Sequence, residues 1–206
     1  MLYVWIILSA TVIIGGCNAL FVAPMVGLNW WELPLISVLL VLSVIAIDGV
    51  VAFLVNRLPK KWFNHNFKFF TVGKREKLFY EKMRIRKWKD KIPELGALGG
   101  FRKNHVLDPF NNEYVEKYLL EVCYGEIVHV LGCLFGFLVM CIYPKYYLTI
   151  GLPVAVVNAV MNIPSLIILR YNSHKLEVLY KSNKKREERA KGKEEEEKLK
   201  EVAVAK

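Results

Sequence analysis

Four stretches of this chain carry almost no charge, and together they bar it from folding as an ordinary water-soluble domain. Residues 1–22 and 146–169 hold no Asp, Glu, Lys or Arg, residues 33–55 hold only Asp48, and residues 127–143 hold His129 as their one basic group. A hydrocarbon core of roughly 30 Å is crossed by a helix rising about 1.5 Å per residue, so three of these runs are long enough to span and the fourth is short. The chain is 54% hydrophobic yet carries a formal charge of +10, so apolar and charged residues are segregated along it. A bilayer offers no water to free backbone groups, which makes each run a helix. The expected fold is all-α: a polytopic membrane protein with four transmembrane helices in two hairpins and an amphipathic basic cytoplasmic segment between them.

Orientation follows from the cations. Residues 57–121 hold 16 Lys and Arg against 8 acids, and residues 170–206 hold 12 against 8, whereas the connections 23–32 and 144–145 hold one lysine between them. Excess Lys and Arg stay on the cytoplasmic side, so both termini and the long middle segment are expected there. The expected organisation is a first hairpin (1–56), a membrane-surface segment (57–122), a second hairpin (123–169) and a charged tail (170–206). Residues 1–22 lack the basic start of a secretory signal, and Ile14-Gly15-Gly16-Cys17 is only loosely like a lipoprotein cleavage box, so a retained helix is expected. The four cysteines have no metal-ligand spacing and imply no disulfide framework.

Within the middle segment, NRLPKKWFNHNFKFF and LFYEKMRIRKWKDKIPELG thread aromatic residues between cations. Aromatic rings favour the headgroup level and Lys and Arg reach lipid phosphates, which suits a helix lying on the membrane. A solvated basic loop obeying the positive-inside rule explains the charge equally simply. Nucleic acid does not, because no recognition motif accompanies the charge. The tail KKREERAKGKEEEEKLKEV is polar on every side and reads as a solvated helix or a disordered strand of chain.

Ionisable groups near the spans are the candidates for chemistry. Glu126 and His129 lie three residues apart, on one face of a helix, and Glu121 falls on the other side of the histidine. A carboxylate beside an imidazole fixes its tautomer and supports proton uptake from a hydroxyl. A structural salt bridge to the basic segment is the plainer reading. Glu-x-x-His also serves di-iron bundles, but a second such motif is required and none exists here, so no metal is expected. Asn158 and Asn162 share a face just before Pro164, either as packing glue or as part of a site. Asp48 can pair with a cation or take a proton. Arg170, His174 and Lys175 read as headgroup anchors.

Four motifs in order, RKWKDKIP (86–93), RKNHVL (102–107), EVCYGEIVH (121–129) and NIPSLIILRYN (162–172), make the chain resemble the glycosyl-4,4'-diaponeurosporenoate acyltransferase family. The resemblance covers roughly residues 50–190. It implies a small bacterial cell-membrane protein that esterifies a fatty acyl chain onto the sugar of a glycosylated carotenoid acid, the last step towards staphyloxanthin. Carried over residue by residue, it singles out Lys87, Trp88, Lys89, His105, Asn162, Arg170, Tyr171 and Asn172 as substrate-binding candidates, beside a catalytic set of His129, Glu126 and Glu121. Where family members tend to have Arg, Gln and Arg, this chain has Tyr124, Leu169 and Ser173.

The expected chemistry is acyl transfer at the inner membrane face, with acyl-CoA or another acyl thioester as donor substrate, an amphiphilic acceptor and no bound cofactor. His129, oriented by Glu126, takes the acceptor's proton, while Arg170 or Lys87 stabilises the oxyanion. The partners expected are the lipid bilayer and these two amphiphiles, with no nucleic acid and no protein partner named. Two other classes remain open: a small membrane methyltransferase, which needs a nucleotide-cofactor pocket, and a non-catalytic scaffold or lipid-binding subunit, which tolerates loss of Glu126 and His129.

Overall fold

The computed structural model describes residues 2–92 and 106–204. Among the described residues every regular element is helical: α1 (Leu2–Cys17), α2 (Ala23–Val26), α3 (Glu32–Asn56), α4 (Lys74–Lys82), α5 (Ile85–Trp88), α6 (Asn112–Phe135), α7 (Val139–Ile142) and α8 (Leu152–Val204). Four helical stretches, Tyr3–Val26, Glu32–Asn56, Asn112–Ile142 and Pro144–Lys193, are long and apolar enough to cross a membrane. Their outward faces carry Trp5, Leu8 and Val12 on α1, Leu35, Leu39 and Leu42 on α3, and Val156 and Val160 on α8, while Asn18, Asn158 and Asn162 are buried. Apolar outside and polar inside inverts a soluble fold, and hydrocarbon is the surrounding that this inversion fits.

Local chemistry explains where the helices change course. Pro24 has no N–H to offer the carbonyl of Leu20, and the chain widens into a π-turn at Asn18–Val22 just before it. Asn18 lies in that turn and donates through Nδ2 to the carbonyls of Ile14 (2.8 Å) and Thr149 (2.9 Å), tying α1 to the turn that precedes α8. Gly27 then ends α2 with φ of 69°, a left-handed conformation that glycine adopts without steric cost.

α6 starts earlier than its apolar run. Asn111 caps it, its side chain accepting from the Tyr114 N–H at 3.1 Å, and Val115, Tyr118, Leu119 and Val122 bury one face against Leu176 of α8. Glu126 and His129 therefore lie in the middle of a helix rather than at its start. α8 runs through Pro164 and past residue 170 without a break, so the tail continues as helix. The interface between α6 and α8 is the most extensive in the molecule among the described residues. Small residues on α6 allow it: a Cβ at Gly125 would stand 2.9 Å from Leu169, and one at Gly136 would overlap the Asn158 amide.

The basic segment folds back onto these helices. Phe63, Phe70, Val72, Tyr80 and Ile85 are buried, and Phe63 stacks on Tyr124 of α6 with ring centroids 3.9 Å apart. Trp62, Phe67, Phe69, Leu78 and Phe79 stay exposed among the cations.

Candidate active site

Two polar clusters join the helices, one on each side of a single turn of α6. The first begins with Asp48 of α3, which accepts from Asn158 Nδ2 at 3.4 Å and from Asn162 Nδ2 at 3.2 Å. Asn162 Nδ2 also reaches the backbone carbonyl (3.1 Å) and the side-chain oxygen (3.2 Å) of Asn158. With acceptors around its nitrogen, the Asn162 amide must turn its oxygen the other way, and that oxygen lies 2.7 Å from His129 Nδ1. An amide oxygen only accepts, so Nδ1 carries the hydrogen, and in the neutral ring Nε2 is the nitrogen with the lone pair. Asp48 thus sets the tautomer of His129 through Asn162.

This cluster lines a cavity of about 460 Å³ between α1, α3, α6 and α8. Most of its wall is aliphatic, including Ile7, Ile14, Val44, Ile45, Val157 and Met161. Asp48, His129, Asn158, Asn162 and the hydroxyls of Tyr3 and Ser165 supply its polar atoms, the two hydroxyls bonding each other at 2.9 Å. A large apolar cavity with few convergent polar groups is the usual form of a small-molecule site.

The second cluster centres on Arg170 of α8. Its Nη1 donates to Glu126 Oε2 at 2.8 Å and to the Phe69 carbonyl at 3.0 Å, its Nη2 donates to Glu76 Oε2 at 2.9 Å, and its Nε donates to Glu76 Oε1. The guanidinium fork meets the Glu76 carboxylate with two parallel bonds, the geometry that makes arginine a strong carboxylate partner. The Tyr80 hydroxyl adds a further bond to Glu76. Arg170 holds the Glu76 carboxyl below its ordinary 4.5; burial opposes that shift and Tyr80 assists it. Burial, and then Glu76, push the Tyr80 phenol up. Glu126 is 0% exposed, so Arg170 neutralises an acid that would otherwise be stranded. The cluster fastens α4 to α6 and α8.

These contacts redistribute the expected roles. His129 and Asn162 meet directly, as do Glu126 and Arg170, but Glu126 bonds to Arg170 and not to His129, whose ring takes Asn162. The two side chains share a helix face, yet each has a nearer partner across an interface. Arg170 likewise pairs with two carboxylates and does not line the cavity. Glu121 is half-buried and does not line this cavity. Lys87 is exposed on α5, Trp88 donates to the Met83 carbonyl at 3.1 Å, and Lys89 lies 3.8 Å from Asp90. None of the three lines the His129 cavity. Tyr171 lies under Lys175, with Nζ 4.3 Å from the ring centroid, and Asn172 is buried. His105 lies outside the described residues.

Sequence reasoning left out Glu76, Tyr3 and Ser165, and it gave Asp48 no partner among the asparagines. One signal was available: Gly132 and Gly136 form the G-x-x-x-G spacing that brings membrane helices close, and a Cβ at Gly132 would stand 3.1 Å from both Asp48 Oδ1 and Asn162 Oδ1. The departures at Tyr124, Leu169 and Ser173 are absorbed by packing. Tyr124 donates to the Leu58 carbonyl at 3.2 Å, Leu169 fills the space over Gly125, and Ser173 is buried.

The family described as glycosyl-4,4'-diaponeurosporenoate acyltransferase matches residues 59–182. Proteins of that name from Staphylococcus aureus strains bovine RF122 / ET3-1, USA300 and NCTC 8325 / PS 47 are each 28% identical over 144 residues, covering 68% of this chain and 84% of theirs. No solved structure matches the chain. The matched residues include His129, Asn162, Glu126, Arg170 and Glu76, the side chains that join α4, α6 and α8, and with more than half of its length matched the chain belongs to the glycosyl-4,4'-diaponeurosporenoate acyltransferase family.

Proposed function

We propose that this protein is a membrane acyltransferase that moves a fatty acyl group from an acyl thioester to a sugar hydroxyl of a glycosylated carotenoid-like amphiphile. The observation that carries the reading is the Asp48–Asn162–His129 chain in the wall of an otherwise aliphatic cavity. His129 Nε2 accepts the proton of the acceptor hydroxyl as that oxygen bonds to the thioester carbonyl carbon. The Asp48 carboxylate, behind the Asn162 amide, offsets the positive charge the ring gains. The tetrahedral intermediate then expels the thiolate, which takes the proton back from the imidazolium, and the ester and thiol leave. The Tyr3 and Ser165 hydroxyls in the cavity wall bond each other, and whichever accepts in that pair has a hydrogen to donate to the oxyanion.

The surroundings support the same reading. The four spans form two hairpins in a bacterial cell membrane, with both termini and the basic segment cytoplasmic, because the cations concentrate there. The Glu76–Arg170–Glu126 cluster then holds that segment over the inner mouth of the helix bundle. The test is ester formation by the purified protein in lipid nanodiscs, followed by mass spectrometry with an acyl-CoA donor and a glycosylated carotenoid acceptor. His129→Ala is expected to slow transfer by about 10²- to 10⁴-fold, the range a general base supplies, with an unchanged melting temperature. Full activity in a folded His129→Ala protein ends this assignment.

A further inference from the structure

A second cavity, of about 420 Å³, opens beside the Arg170 cluster, between the basic segment and the stretch of α8 just past its apolar run. Lys77, Tyr80 and Glu81 of α4 line one side, and Tyr171, His174 and Lys175 of α8 line the other. Its charge balance differs from that of its neighbour. Arg170 is neutralised by two carboxylates, whereas among the described residues neither Lys77 nor Lys175 has an acid within ion-pair distance, although Glu81 shares their cavity. Lys175 rests its ammonium over the Tyr171 ring, which leaves its remaining donors directed away from the ring plane. Two cations from separate elements thus converge on one space with an incomplete set of counter-charges.

We propose that this cavity binds the phosphate-bearing headgroup of an amphiphile, with Lys77 and Lys175 as its charge partners and His174 as a further donor. Lysine is a common point-charge binder of phosphate, and a space of this size holds a headgroup rather than a lone carboxylate. Position favours the same ligand: residue 169 closes the apolar run of α8, so the cavity lies where headgroups meet the cytosol. The phosphate has two sources, the phosphorylated carrier of an acyl thioester and a phospholipid of the surrounding leaflet. The site goes beyond the acyl-transfer reading and does not depend on His129.

The test uses the full-length protein in dodecyl maltoside micelles, which carry no phosphate, with coenzyme A binding measured by calorimetry and retention of added phosphatidylglycerol measured by native mass spectrometry. Both lysines are exposed, so the double variant Lys77→Gln, Lys175→Gln should keep the fold, and an unchanged melting temperature verifies that. The expected result is a loss of about tenfold or more in affinity for one probe, as removal of a hydrogen bond to a charged group gives. Loss for coenzyme A assigns the carrier, and loss for phosphatidylglycerol assigns the leaflet lipid. The proposal is overturned if the double variant holds both probes as the parent does, or if the parent holds neither. His129→Ala should retain the binding while losing transfer, which separates failure of this site from failure of the catalytic reading.

Discussion

His129 is positioned by a neutral amide, and the charge stands one residue further back, at Asp48. That order matters because an amide beside Asp48 can present only one of its two ends to the ring. Asp48→Asn replaces a pure acceptor with a group that also donates, so only the Asn158 acceptors still orient the Asn162 amide and Nδ1 is less firmly assigned its hydrogen. Transfer is expected to fall by about 10- to 100-fold, as for other outer residues that orient a ligand or base, with substrate affinity nearly unchanged; steady-state kinetics checks it. The Arg170 cluster should respond through stability. Arg170→Met strands the buried Glu126 and is expected to cost about 3–5 kcal/mol, and adding Glu126→Gln should restore part of that loss; chemical denaturation in detergent reads both. Glu126 and His129 were each legible as unusual ionisable groups beside an apolar run. Their partners were not, because i and i+3 spacing fixes a shared face and says nothing about which residues of α8 arrive across it.

Helix identity was the most legible level. The charge-free runs correspond to α1, α3, α6 with α7, and α8, since only continuous helices satisfy their backbone groups in hydrocarbon. The start of α6 was hidden, because residues 112–122 mix Glu and Lys with the one-sided set Val115, Tyr118, Leu119 and Val122, whose partner Leu176 lies far along the chain. How closely α6 and α8 approach depends on Gly132 and Gly136. Gly136→Ala, whose methyl would overlap the Asn158 amide, is expected to destabilise by about 1–3 kcal/mol, and Gly132→Ala by less, since its neighbours stand at 3.1 Å; paired melting curves compare them. Docking of α4 carries a pH signature. Glu76 is shifted below its ordinary 4.5, so its contribution is complete above that value and is lost as pH falls through the depressed value in the folded protein. Fluorescence of Trp88, with Trp5, Trp30, Trp31 and Trp62 replaced by Phe, should show a change below pH 4.5 that Glu76→Gln removes.

The helices form a bundle whose outside is apolar and which holds, among its described residues, an aliphatic cavity with a histidine and a charged clamp beside it. The proposed reaction rests on His129 Nε2 acting as the proton acceptor at this aliphatic cavity. Imidazole rescue of His129→Gly, followed as thiol release from an acyl-CoA in nanodiscs containing the acceptor, tests this most directly. The expected result is a collapse of the rate in the variant and partial recovery on adding imidazole, rising with the fraction of neutral imidazole as pH increases. An undiminished rate in His129→Gly without imidazole would contradict it.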